Sequence, residues 1–167
     1  MRQPMIRDAV AADLPAIVAI YNASIPGRMA TADLTPVNVN DRATWFAEFD
    51  PARRPLLIYA SPDDGLVQGW LSLRSFYGRP AYSETVEVGV YIHPVAQRCG
   101  IGRKLLDRAI SDAPRLHIST LLAFTFAHNA PSVGLFRSAG FDTWGELPGV
   151  AKLDGVRRDL LILGRSL

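Results

Sequence analysis

The chain has 167 residues, 49% hydrophobic and 20% charged, with a formal net charge of +2. This is the composition of a globular protein long enough to bury a core; it excludes a disordered segment, and so small a charge gives no footing for a nucleic-acid partner. The single cysteine, Cys99, excludes an internal disulfide framework, and no apolar run approaches the roughly 20 residues of a membrane span.

Pro4–Val10 reads as a first strand. Asp13 is expected to cap a helix running to about Ser24, with Pro15 in its first turn and Leu14, Ile17, Val18 and Tyr21 on one face. Ile25–Pro36 is irregular. Asn38 or Asn40 opens a second helix through Phe49, and strands follow at Leu56–Ala60 and Leu66–Ser75. A Tyr-, Gly- and Arg-rich loop, Phe76–Ser83, leads into the strand Glu84–Ile92. Gly100–Asp112 is helical, Ile118–Phe126 a strand, and Pro131–Ala139 a short helix opened by Asn129. Phe141–Leu147 and Arg157–Leu163 complete the strands. With no internal repeat or linker, one domain over 1–167 is expected, of the mixed α/β class. Met-Arg-Gln-Pro at the start carries no apolar signal core, so the expected location is cytoplasmic.

The most informative stretch is Val88–Leu106. An apolar strand ends at His93-Pro94, and the loop Gln97-Arg98-Cys99-Gly100-Ile101-Gly102-Arg103 runs straight into an amphipathic helix. Unpaired N–H groups and the dipole at a helix start favour an anion, and Gly100 and Gly102 allow it close to the backbone. Arg98, Arg103 and Lys104 add positive charge nearby. The loop fits neither nucleotide pattern: Leu105 stands where a dinucleotide fingerprint needs its third glycine, and no P-loop string is present. A simple tight turn remains open.

Alternation in the preceding strand puts Val86, Val88, Val90 and Ile92 on one face and Thr85, Glu87, Gly89 and Tyr91 on the other. The valine face is core. The second face carries one carboxylate beside a glycine, which suits either a thin ligand or an ordinary solvated strand residue. His93, His117 and His128 lie on separate elements without metal-ligand spacing, so no metal is expected.

The Gln-Arg-x-Gly-x-Gly loop after such a strand resembles the acetyl-CoA pyrophosphate loop of the GCN5-related N-acetyltransferases (GNAT). Tyr21-Asn22, Ala30-Thr31, Trp45-Phe46, Ala81-Tyr82, Thr85-Val86-Glu87, Val90-Tyr91-Ile92, Asn129-x-x-Ser132 and Gly140-Phe141 are similar to its phosphinothricin and methionine sulfoximine acetyltransferase branch. The resemblance spans nearly the whole chain. It implies the GNAT fold, a mixed central sheet of about six to seven strands flanked by about four helices, and acetyl-CoA as co-substrate.

By the same resemblance, the backbone of Arg98, Cys99, Gly100, Ile101, Gly102 and Arg103 holds the pyrophosphate. Val90, Tyr91 and Ile92 pair with the pantetheine arm like an added strand. Asn129 and Ser132 contact that arm, and Asn129 also suits a helix cap. Glu87 matches the family's general base, which would help a protonated amine lose its proton before attacking a thioester. A backbone N–H around Val88–Val90 would meet charge on the thioester oxygen. Many members carry Tyr or His where this chain has Phe136; Tyr91, Tyr82 and His128 are alternative proton donors.

On the acceptor side, Arg74, Tyr77 and Arg79 precede the strand, Val88 and Gly89 lie on it, and Arg28 lies in the irregular loop. Leu135, Phe136 and Phe124 suggest a partly apolar pocket. The implied function is acetyl transfer to the primary amine of a small, amino-acid-like molecule, by a homodimer as the resemblance implies, with no nucleic-acid or membrane partner. Acetylation of a protein or peptide, and a non-catalytic CoA-binding module, are the alternative readings.

Overall fold

A single seven-stranded sheet organises the computed structural model, which describes residues 5–167. Its strands are β1 (Met5–Asp8), β2 (Leu56–Ala60), β3 (Val67–Ser75), β4 (Thr85–Ile92), β5 (Thr120–Phe126), β6 (Asp142–Leu153) and β7 (Val156–Ser166). They lie in the order β1-β2-β3-β4-β5-β7-β6. The helices are α1 (Leu14–Ser24), α2 (Val39–Ala47), α3 (Ile101–Asp112) and α4 (Ala130–Ser138). Every neighbouring pair is antiparallel except β4 and β5, which run parallel around the crossover through α3. Seven strands and four helices match the expected class.

Period-two alternation sorts side chains between two cores. Leu57, Tyr59, Leu71, Leu73, Val86 and Val88 pack with Ile101, Leu105, Leu106 and Ala109 of α3 and with Phe136 and Phe141. Leu56, Ile58, Ala60 and Trp70 face the other way, against Ile17 and Ile20 of α1, with Tyr21, Trp45, Phe46, Phe49 and Tyr91 around them. So α3 and α4 cover the valine face of β4, and α1 and α2 cover the face of Glu87 and Tyr91.

Several boundaries moved for identifiable reasons. Pro4, at the start of the first expected strand, lies outside the described residues. At its other end β1 stops at Asp8, because Val10 N–H turns to donate to the Asp13 carboxylate at 2.8 Å. Asp13 makes no forward cap on α1; it reaches back instead, accepting two bonds from Arg7 at 2.7 and 3.0 Å. Asn38 does cap α2, accepting from Asp41 N–H at 2.8 Å. β6 and β7 are longer than expected because Asp154 (φ +51°) and Gly155 (φ +83°) form a two-residue hairpin turn with both residues left-handed. That Asp-Gly pair was a readable signal.

Candidate active site

The site is set by where β4 loses a neighbour. Its pairing with β3 runs the full length, from Val86 opposite Ser75 to Ile92 opposite Gly69. Its pairing with β5 covers only Thr85, Val86 and Glu87. β5 continues to Phe126 paired with β7, so beyond Glu87 the two parallel strands part and leave a gap.

The ladder tells which backbone groups face that gap. His93 N–H donates to Gln68 at 2.8 Å and Phe76 N–H to Thr85 at 3.2 Å. In an antiparallel ladder every second residue bonds to the same neighbour. The backbones of residues 85, 87, 89, 91 and 93 therefore bond to the β3 side, and those of Val88, Val90 and Ile92 point toward β5. Tyr91 does not offer its backbone to the gap, contrary to the expectation that grouped it with Val90 and Ile92.

The loop after β4 ends at the same opening. His93 Nδ1 accepts from Val95 N–H at 3.2 Å and turns the chain at Pro94–Ala96. Arg98 (φ +61°) and Gly100 (φ +76°) bend it into α3, whose N-cap is Gly100 without a side-chain cap. The first intrahelical bond from this turn runs from Lys104 N–H to Gly100 at 3.1 Å. The N–H groups of Ile101, Gly102 and Arg103 thus have no acceptor within the helix. A Cβ built on Gly100 meets nothing within 4 Å, whereas one on Gly102 would lie 3.1 Å from Leu135. Open space surrounds Gly100 at the helix start; Gly102 lets α3 pack against α4.

The charges around the loop are not where the sequence suggested. Arg103 donates to Asp107 at 2.8 Å and to the Ser138 carbonyl at 2.8 Å, and the Lys104 ammonium sits 5.7 Å from the Tyr59 ring centroid. Arg98 and Cys99 are exposed. Across the gap, Asn129 Oδ1 accepts from Ser132 N–H at 3.2 Å and so caps α4. Its Nδ2 donates to the Met29 carbonyl at 3.1 Å.

On the opposite face of β4 lies a cleft of about 160 Å³ lined by Ile17, Val18, Tyr21, Val37, Arg42, Trp45, Trp70, Ser72, Arg74, Glu87, Gly89 and Tyr91. Trp70 stacks on Tyr91 with centroids 4.7 Å apart, and Tyr21 meets Tyr91 edge-on at 5.1 Å. The Arg42 guanidinium lies 4.9 Å from the Tyr21 centroid. Glu87 and Arg74 are cross-strand partners. Burial pushes the Glu87 carboxyl above its ordinary range, and Arg74 opposes that rise. Gly89 keeps the wall thin beside Glu87: a Cβ there would stand 2.9 Å from Ser72 Oγ.

Of the expected acceptor residues, Arg74 and Gly89 therefore meet in one cleft, joined there by the expected base Glu87 and by Tyr91, which was expected on the donor side. Others do not. Phe136 is 4% exposed and packs against Phe141 at 5.1 Å in the α3/α4 core, so it cannot touch an acceptor from the α1/α2 side. The Val88 side chain is buried in that same core, leaving only its backbone near the gap. Tyr77 is 77% exposed and Arg79 is also exposed; the Tyr77 ring leans on Phe76, 4.2 Å between centroids, and does not line the cleft. Arg28 is bound to Asp154 at 2.9 Å and to the carbonyls of Ile25 and Leu34. Leu135 packs toward Gly102, and Phe124 does not line the cleft.

The cleft is partly apolar, but through Ile17, Val18, Trp45 and Trp70, with Arg42, Ser72, Arg74 and Glu87 making up its polar side. Arg42, Trp70 and Ser72 were missed as lining residues. Tyr21 and Trp45 were visible only within the resemblance. Two of the three alternative proton donors are otherwise engaged, since Tyr91 O–H donates to the Ala30 carbonyl at 3.2 Å and His128 Nε2 lies 3.0 Å from the Arg28 carbonyl; Tyr82 packs with Phe76 and does not line the cleft.

Residues 18–141 match the family model described as Acetyltransferase (GNAT) family. The chain is 49% identical over 155 residues to "Putative phosphinothricin acetyltransferase YwnH" of Bacillus subtilis, covering 93% of this chain and 94% of that one. It is 34% identical over 162 residues to the L-methionine sulfoximine/L-methionine sulfone acetyltransferase of Pseudomonas paraeruginosa, covering 97% and 94%. A GNAT superfamily phosphinothricin acetyltransferase from Sinorhizobium meliloti, solved in complex with AcCoA, superposes with a TM-score of 0.92 at 29% identity, over 98% of this chain and 88% of that one. A parted β4/β5 pair, a glycine-opened helix start and a half-buried carboxylate thus stand in a chain that belongs to the GNAT acetyltransferase family.

Proposed function

We propose that this acetyltransferase transfers an acetyl group from acetyl-CoA to the primary amine of a small, amino-acid-like molecule. The observation that carries the reading is the position of Glu87, half-buried in a cleft on one face of β4, at the point where the strand's other edge becomes free.

The donor side fits the expected group. The unpaired first-turn N–H groups of α3, with open space at Gly100, suit a pyrophosphate. The free backbone edge at Val88, Val90 and Ile92 suits the amide-bearing pantetheine arm, which would pair as an added strand. Asn129 and Ser132 would border the arm from α4. Acetyl-CoA would supply an acetyl thioester open to attack by a neutral amine; the C–N bond forms as the C–S bond breaks, and CoA leaves as a thiolate that takes its proton from solvent. Glu87 takes the amine's proton, and its raised affinity for protons suits that task near neutral pH. The Val90 N–H, facing the gap and unclaimed by β3, is the donor for oxygen charge that the sequence placed loosely around Val88–Val90. Trp45, Trp70, Tyr21 and Tyr91 keep water from the amine. Arg74, cross-strand from Glu87 and paired with the exposed Glu48 at 3.6 Å, would exchange that partner for the acceptor's carboxylate.

The names of the relatives, sulfoximine, sulfone and phosphinothricin acetyltransferases, support an amino-acid-like acceptor. The reading includes a homodimer, supported by the exposed Trp144, Leu147, Val150 and Val156 on β6 and β7, and a cytoplasmic location, supported by the exposed lone Cys99. Among the described residues no helix is long and apolar enough to cross a membrane.

The test is thiol release from acetyl-CoA with a panel of methionine sulfoximine, methionine sulfone, phosphinothricin, ordinary L-amino acids, peptides and polyamines. Turnover confined to peptides or polyamines would sink the small-acceptor reading. Binding of acetyl-CoA with no turnover across the panel would favour a CoA-binding module.

A further inference from the structure

The irregular segment between α1 and α2 crosses the mouth of the site, and three consecutive carbonyls pin it there. His128 Nε2 lies 3.0 Å from the Arg28 carbonyl, Asn129 Nδ2 donates to Met29 at 3.1 Å, and Tyr91 O–H donates to Ala30 at 3.2 Å. Arg28, held at φ +54°, sends its side chain to Asp154 in the β6–β7 turn. The next residue, Thr31, shares a 2.7 Å hydrogen bond with the Tyr21 hydroxyl, which also donates to Asp33. Both tyrosines that wall the acceptor cleft therefore end on this strap.

The His128 bond has a defined chemistry. A carbonyl only accepts, so Nε2 donates its proton to it, and the other ring nitrogen is Nδ1. That Nδ1 is buried without a hydrogen-bond partner among the described residues. The ring stacks on Phe126 at 5.5 Å, which fixes its plane. A buried unpaired nitrogen is a cost to folding. The imidazole sits there with one productive contact, the one that holds the strap.

We infer that His128 is a positioning residue for the acceptor: by pinning the Arg28–Thr31 strap it sets the Tyr21 and Tyr91 walls of the cleft. This rests on the reading of the cleft as the acceptor site. His128 touches neither the reacting amine nor the thioester; it acts through the backbone of Arg28 and the Thr31–Tyr21 bond.

The test compares His128→Leu, His128→Gln and Thr31→Val with the wild type. Losing the strap bond in His128→Leu raises the KM of the amine about tenfold, with the KM of acetyl-CoA and kcat within about twofold. Gln, which still offers an N–H, recovers most of the loss. Thr31→Val, nearly equal in volume, raises the same KM, and the double variant is less than additive because both act on one path. Independently of any substrate, His128→Leu speeds tryptic cleavage after Arg28 about tenfold relative to the other arginine sites, since the scissile carbonyl is the one released.

An unchanged amine KM in folded His128→Leu, or an equal rise for both substrates, overturns the inference. So does an unchanged cleavage rate after Arg28. Should the Leu variant fail to fold, an unchanged amine KM in Thr31→Val is decisive in the same direction. If the wild type turns over no amine, the acceptor reading falls, and the cleavage contrast still decides whether His128 holds the strap.

Discussion

Replacing Glu87 by Gln tests the catalytic reading most directly, because the swap keeps shape and removes only the base. Loss of a general base costs roughly 10²- to 10⁴-fold in rate, or about 3–5 kcal/mol of transition-state stabilisation. Acetyl-CoA affinity should stay near wild type, since the Glu87 side chain faces the α1/α2 side while the donor would use the backbone edge of β4. The pH profile adds a sign. Glu87 must be ionised to act, and burial raises its pKa, so kcat/KM should fall as pH falls through a value above the ordinary carboxylate range. Glu87→Gln should lose that acid limb.

Arg74→Met then moves the limb in wild-type Glu87. The Arg74 guanidinium opposes the rise that burial gives Glu87, and being 51% exposed it does so weakly. The limb should shift upward by a small amount, with a higher amine KM. Initial rates across the pH range around neutrality decide it. A full-rate Glu87→Gln enzyme, an unchanged acid limb in it, or a downward shift in Arg74→Met would refute the reasoning.

Gly100→Ala places a Cβ at φ +76°, where nothing clashes but the left-handed backbone costs about 1–2 kcal/mol; acetyl-CoA KM should rise while amine KM holds, by steady-state kinetics. Asp13→Asn removes a buried carboxylate that accepts two bonds from Arg7 and one from Val10, and should cost about 1.5–3 kcal/mol in denaturant unfolding. Hydrogen bonding to Arg7 depresses the Asp13 pKa, so its stabilisation is present above the unfolded carboxylate pKa and lost as pH falls through the lower folded value. The variant should flatten that acid loss. Phe136→Tyr restores the hydroxyl common in the family but buries it in the α3/α4 core, so it should cost about 1–3 kcal/mol without raising kcat.

Much of the fold was legible because its signals are local. Alternation in Thr85–Ile92 separated the valine face from the face of Glu87 before any packing was known, and Asn38 and Asn129 marked helix starts as caps. Asp13 misled for an equally local reason: its cap position is right, but Arg7, six residues earlier, competes for the carboxylate and wins with two charged hydrogen bonds. Phe136 and Arg103 misled through long-range packing. Phe136 turns toward Phe141, and the Arg103 guanidinium turns from the loop to the end of α4. Arg42 gave no signal at all; α2 brings it over Tyr21 only in the folded chain.

Sequence by itself determined the local features of the proposed donor side: a strand with a core face, a glycine where the helix begins, and an asparagine at the start of α4. Those features depend on φ, on periodicity and on unpaired helix-end groups, all properties of short segments. The free edge of β4 and the whole acceptor half were decided by tertiary structure. Which strand lies beside β4, and where that pairing stops, depends on β5 being held by β7. Glu87 gains its raised pKa only when α1 and α2 bury it, and the cleft gains its arginines only when β3 and α2 meet there. Desolvation and charge proximity belong to the assembled molecule, because the residues that create them lie tens of positions apart in the chain.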